Sequence, residues 1–292
     1  MTLGQVQSLR RAIRSVLRAA CAASVVLGAG AAAEPMPGFA WGANAPAASD
    51  TLAGRIAPPN GFARIPVATD SFAAWLRRLP MKPASSPVKL FNGAIKPRQD
   101  VHTAVIDIDT GDRDLQQCAD AVMRLRAEWL WSSGTKDAIA FDYTGGGRVP
   151  YSRFASGARP SENGKSWRQS GKADHTYAGF RRYMTNVFIY AGTYSLAREL
   201  TAVPGGVEPE IGDVVIRGGF PGHAVLVIDK ADNAVTKERR FLLAQSFMPA
   251  QDIHILKDPA AADGSPWYSA PISWPLVTPE WTFPEGSLKR WR

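Results

Sequence analysis

Residues 212–229 read GDVVIRGGFPGHAVLVID, and the fold turns on how this stretch is interpreted. Two runs of β-branched and aliphatic residues flank a Gly/Pro turn, which predicts strands over Asp213–Arg217 and His223–Asp229. On a period-two strand His223, Val225, Val227 and Asp229 share one face, while Ala224, Leu226 and Ile228 share the other. His223 follows the turn directly, so its ring is expected at the strand's mouth. A further strand, Phe241–Phe247, comes after the charged turn KADNAVTKERR. A hairpin register pairing Val227 with Phe241 and Val225 with Leu243 sets Gln245 opposite His223, close enough to touch. In that register the Gln245 carbonyl accepts from His223 Nδ1–H and leaves Nε2 free. Ser246 falls on the opposite face.

Upstream, residues 114–131, DLQQCADAVMRLRAEWLW, carry helical periodicity. Asp114 and Gln117 have capping-box spacing, and Cys118, Val122, Leu125 and Trp129 form one apolar stripe. A second helix is expected from Tyr177 to Leu200, and a short one around Phe72, Trp75 and Leu76. Val88–Phe91 and Val101–Ile108 read as strands, with Asn92-Gly93 as a turn between them. Residues 142–176 are Gly-rich and polar and read as a long surface insertion; the tail from about 257 is rich in Pro and Trp and is expected to wrap and seal a core. The fold class is α+β: a helix bearing Cys118 packed on an antiparallel sheet bearing His223 and Gln245, with insertions.

The first 33 residues have the form of a secretory signal. Arg10, Arg11, Arg14 and Arg18 precede a short apolar stretch that ends in Ala31-Ala32-Ala33. Residues 34–60 read as an Ala/Pro/Gly-rich linker, and residues 61–292 as a single domain. Removing the leader takes away four of 34 basic residues and none of 26 acidic ones, so the net charge falls from +8 to +4. That excess is mild, and no Lys/Arg run marks a nucleic-acid partner. No segment after the leader is long and apolar enough to span a bilayer. The expected location is therefore periplasmic or secreted.

An exported chain that keeps one thiol cannot use it for an internal disulfide. Cys118 is then a buried inert residue, an intermolecular bridge, or a nucleophile awaiting a base. Iodoacetamide at about pH 6 is expected to modify a nucleophile quickly and a buried structural thiol only on unfolding.

The "QC" at a helix start, followed by "GDVV", "GHAVLVID" and a polar residue on the next strand, is similar to CHAP-type cysteine amidases and endopeptidases. Their NlpC-like relatives share the papain-like core. The resemblance implies Cys118 as nucleophile, His223 as base and Gln245 as orienter, with no cofactor and an amide bond of peptidoglycan or an envelope peptide as substrate. Gln117 joins the helix-start N–H groups as the implied oxyanion donor. The whole sequence also resembles an uncharacterised family of exported bacterial proteins. Two departures stand out: Cys118 and His223 lie 105 residues apart, and Gln replaces the usual acid or Asn. The rival reading is a non-catalytic envelope-binding module on the same scaffold.

Within the insertion, Tyr151, Arg153, Trp167 and Arg168 are candidates to line a cleft for an anionic or glycan substrate. Asp107, Asp109, Asp112 and Asp114 are read as strand-end and cap residues, since an EF-hand loop counted from Asp107 needs Glu where Cys118 stands. The four histidines have no zinc-ligand spacing, so no metal is expected.

Overall fold

The computed structural model describes residues 39–42 and 45–292. The signal sequence expected over 1–33 lies outside these, as does the start of the expected linker.

The fold is α+β, built on one nine-stranded antiparallel sheet whose strands are numbered here in chain order. They are β1 (Ala63–Arg64), β2 (His102–Val105), β3 (Thr201–Ala202), β4 (Val214–Arg217), β5 (His223–Asp232), β6 (Arg239–Gln245), β7 (His254–Leu256), β8 (Trp267–Ala270) and β9 (Leu288–Arg290). The order across the sheet is β2-β7-β6-β5-β4-β9-β3, with β1 on the far end of β5 and β8 on the near end of β6. The central β5 is buried along nearly its whole length, as its unbroken VLVI run requires.

The period-two reading of β5 holds at its start. Ala224, Leu226 and Ile228 face one core with Val214, Ile216 and Ala244, whereas Val225 and Val227 face a second core with Val215, Phe241 and Leu243. Helices cover the first face: α1 (Leu52–Arg55), α2 (Phe72–Arg77), α3 (Cys118–Ser132), α4 (Tyr151–Ala155), α5 (Tyr177–Tyr190) and α6 (Thr193–Glu199). The C-terminal tail covers the second through Leu276 and Phe283.

The hairpin register differs from the expected one. Leu243 pairs with Val227, two residues from the expected partner Val225, and Leu242 pairs with Asp229, which leaves Ile228 as the extra residue of a bulge in β5. Asp229 therefore turns away from His223, and it bonds Arg64 Nε at 2.6 Å and Arg77 Nε at 2.7 Å.

Four other expectations are corrected by packing. The chain is embedded before residue 61, since Phe39, Leu52 and Ile56 are all core residues. The 142–176 stretch is not a loose insertion. It forms two hairpins around α4, and Tyr143, Val149, Phe154 and Ala155 enter the main core. The expected helix over 177–200 is broken where Ala191 and Gly192 are extended, and Ser195 Oγ accepts from the Gly192 N–H at 3.1 Å. Val88–Phe91 is not a strand; Lys89 and Leu90 make single bridges to Ile95 and Gln251 around the turn at Gly93, whose φ is 84°. Among the described residues no helix is long and apolar enough to cross a membrane.

Candidate functional site

Cys118 is the first residue of α3. The cap is Gln117 rather than Asp114: the Gln117 N–H donates to Asp120 Oδ2 at 3.1 Å, closing the reciprocal half of a capping box. The sulfur thus stands where first-turn N–H groups lack helical partners. The backbone N–H groups of Ala119, Ala224 and Cys118 itself point at it and favour the thiolate. Burial outweighs them, with a smaller contribution from the Asp120 carboxyl, and pushes the thiol up to about 11. Asp120 is itself buried, which raises its carboxyl well above the usual range, and its Oδ1 has no partner.

Ala224 lies in the core that the helices cover, whereas the next side chain along, His223, turns to the other face, and no contact between the Cys118 and His223 side chains is seen among the described residues. His223 is fully buried, and its ring is enclosed by Phe247, Trp281 and Phe283 at centroid distances of 4.9, 5.3 and 5.7 Å. Its Nε2 lies 2.9 Å from Gln245 Oε1. Gln245 is therefore brought to His223 as expected, although the two-residue offset in register makes the approach diagonal across the ladder rather than direct. The contacting nitrogen is also the other one: Nε2 is engaged, while Nδ1 is buried with no hydrogen-bond partner. Burial lowers the imidazole to about 4, and the nearby Lys96 charge acts in the same direction. Ser246, on the helix side, donates to the carbonyl oxygen of Gln116 at 3.1 Å.

Sequence reasoning missed the layer behind Gln245. Its amide nitrogen lies 2.8 Å from Glu280 Oε2 and 3.3 Å from His254 Nε2. Lys96 Nζ, almost wholly buried, bonds both Glu280 oxygens at 2.7 and 2.8 Å and Gln251 Oε1 at 2.8 Å. A signal for Glu280 was present, because it is the one charged residue between Asp263 and Glu285. Arg124 was missed as well. It is fully buried and bonds Gln116 Oε1 at 2.9 Å, Glu128 Oε1 at 2.6 Å and Asp109 Oδ2 at 3.0 Å. It thereby fixes the loop leading into Cys118.

Other candidates fall elsewhere. The Gln117 side chain is turned to Asp114 Oδ1 at 2.9 Å, away from oxyanion duty. Tyr151 is a core residue, edge-on to Trp131 at 5.6 Å. Trp131 lies thirteen residues along α3 from Cys118, about 20 Å at 1.5 Å per residue. Arg153 stacks on the Trp167 ring at 4.7 Å, and Arg168 is exposed on the same hairpin. None of these four sits at the Cys118 end of the helix. A cavity of about 1340 Å³ adjoins the loop before α3, lined by Phe39, Trp41, Phe91, Lys82, Asp112 and Asp252 among others, though not by Cys118 or His223. Asp109 pairs with Arg124 and Arg181, and Asp114 accepts from the Ala250 N–H, so both serve as structural acceptors.

Fold and site together define a class: an α+β protein whose one thiol among the described residues stands at a helix start, with an imidazole–amide pair on the sheet backed by a carboxylate of the tail. A family model described as "Domain of unknown function (4846)" matches residues 52–290, and the chain belongs to that family. No curated protein and no solved structure matches it.

Proposed function

We propose that this protein is an exported thiol hydrolase or acyltransferase on a papain-like, CHAP-related core, acting on an amide bond of peptidoglycan or an envelope peptide. The observation that carries the reading is His223: Nε2 is held by Gln245, and Nδ1 is buried with a free lone pair. The ring faces the second core with Trp281 and Phe283, and the helix that opens at Cys118 covers the first, so on this reading the site rearranges before Nδ1 reaches the thiol.

With the thiol at about 11 and the imidazole at about 4, the resting pair is neutral. His223 then works as a general base during attack rather than as one half of a standing ion pair. Nδ1 takes the thiol proton as sulfur bonds the carbonyl carbon, and the first-turn N–H groups receive the oxyanion. The tetrahedral intermediate expels the amine, which takes the proton back from Nδ1. Water, deprotonated by the same nitrogen, then cleaves the thioester to a carboxylic acid and the free thiol. The cavity beside the loop before α3 offers room for the substrate chain, in place of the 151–168 region.

The burial of both groups favours a second reading, a binding module whose thiol and imidazole are packing residues. Incubation with purified peptidoglycan, with new amino groups quantified, separates the two. We expect release by the wild type and none by Cys118→Ala; release by Cys118→Ala at the wild-type rate would leave only the binding module. Alkylation by iodoacetamide is expected to be slow at pH 7 in the free protein and faster with peptidoglycan present, as the site opens.

A further inference from the structure

The geometry points to Glu280 as the residue that sets which nitrogen of His223 carries the proton, acting through the Gln245 amide and held in place by Lys96. This deepens the hydrolase reading and its catalytic consequence rests on it; the assignment of the proton does not.

The argument uses only which groups can donate. An amide side chain can be turned either way, and its orientation is decided by its neighbours. Glu280, paired with Lys96 at 2.7 Å, is a carboxylate that can only accept. The Gln245 atom 2.8 Å from Glu280 Oε2 must therefore be the NH2 group. A second acceptor agrees. His254 Nδ1 lies 2.9 Å from the Asp252 carbonyl oxygen, which also only accepts, so the proton of neutral His254 is on Nδ1. Its Nε2 then offers a lone pair to the same Gln245 NH2 at 3.3 Å. With the NH2 group so committed, Oε1 is the atom that faces His223 Nε2 at 2.9 Å, and that nitrogen must donate. His223 is thereby fixed as the Nε2–H tautomer, with its lone pair on Nδ1.

Of the two acceptors Glu280 is the stronger, being charged and 0.5 Å closer (2.8 against 3.3 Å). Lys96 holds the carboxylate in place: Nζ contacts both of its oxygens. Glu280 belongs to the Trp/Pro tail and Lys96 to the loop after the Asn92-Gly93 turn, so two distant segments meet to orient one ring. Glu280 is a positioning residue. It touches neither the thiol nor His223.

The test is the ¹⁵N spectrum of the His223 ring in the full chain at neutral pH, with kinetics alongside. In the wild type Nδ1 is expected at an unprotonated shift and Nε2 at a protonated one. The double substitution Lys96→Met with Glu280→Met removes both charges at similar volume, an exchange that buried ion pairs commonly tolerate. We expect a population with the proton on Nδ1 to appear, and kcat on peptidoglycan fragments to fall about tenfold or more at unchanged KM. Glu280→Asp, which keeps the carboxylate, is expected to retain the Nε2–H form. A folded double variant whose His223 shifts match the wild type would overturn the assignment, and so would a Glu280→Asp protein with the proton on Nδ1. If instead the tautomer moves as expected while Cys118→Ala still releases amines, the hydrolase reading fails and the orienting role of Glu280 stands.

Discussion

Strand β5 ends its buried run with two different kinds of polar residue. Towards its C-terminal end Asp229 is a carboxylate with both oxygens engaged: Oδ1 accepts from Arg77 Nε and the Lys230 N–H, and Oδ2 accepts from Arg64 Nε. At its start His223 is neutral, joined on one side to Gln245 and open on the other at Nδ1. The first arrangement is closed: α2, β1 and β5 are tied together and nothing remains to react. The second is a chain that runs from Lys96 through Glu280 and Gln245 and stops at a lone pair. A buried nitrogen left without a partner costs stability, and on the proposed reading that cost is retained for chemistry.

The contrast can be broken most strongly at the closed end. Asp229→Ala leaves two half-buried guanidinium groups without their carboxylate and should cost about 3–5 kcal/mol in urea unfolding. The same substitution should leave the His223 tautomer unchanged.

The acid limb of stability comes next and belongs to the open end. His223 is lowered to about 4 and His254 to about 3, so both bind protons more readily when the chain is unfolded. Their contribution is present in full above about pH 6.5, the ordinary value. It drains away as pH falls towards 4, by an amount on the order of 2–3 kcal/mol for His223 alone. His223→Leu should flatten that limb in chemical unfolding measured from pH 7 to pH 4; an unchanged slope would show that the ring is hydrated.

At pH 7 the same His223→Leu substitution should cost only about 1–2 kcal/mol, the price of leaving Gln245 Oε1 without its donor. The open end is thus the cheaper to alter for stability, while on the proposed reading it is the more damaging for activity.

The smallest effect is expected at the thiol. Burial holds Cys118 up at about 11 against 9.0 for the unperturbed group. Unfolding therefore releases a proton between these values, and stability falls as pH rises from about 9 towards 11. Replacing Cys118 with Ala should recover about 1 kcal/mol of that loss at pH 10, read as the difference between urea midpoints at pH 8 and pH 10.

Much of the architecture was legible in local pattern. The VLVI run of β5, its alternation into two cores, the helix opening at Cys118 and the sealing role of the tail all follow from periodicity and turn chemistry. Where local pattern misled, longer-range packing was the cause. The 142–176 stretch has the composition of a loop, yet Tyr143, Tyr151 and Phe154 are drawn into a core offered by Tyr183 and Phe180. The hairpin register was set at the turn, where Arg239 pairs with Asp232, and then altered by a bulge that no residue of β5 announces.

The sequence by itself determined the candidates Cys118, His223 and Gln245 and the elements that carry them, because those depend on spacing within a few residues. Tertiary structure decided which nitrogen of His223 is engaged and what stands behind Gln245. Lys96, His254 and Glu280 come from segments far apart in the chain, and only the closed sheet with its tail folded over it brings two acceptors, one of them held by Lys96, to bear on one amide.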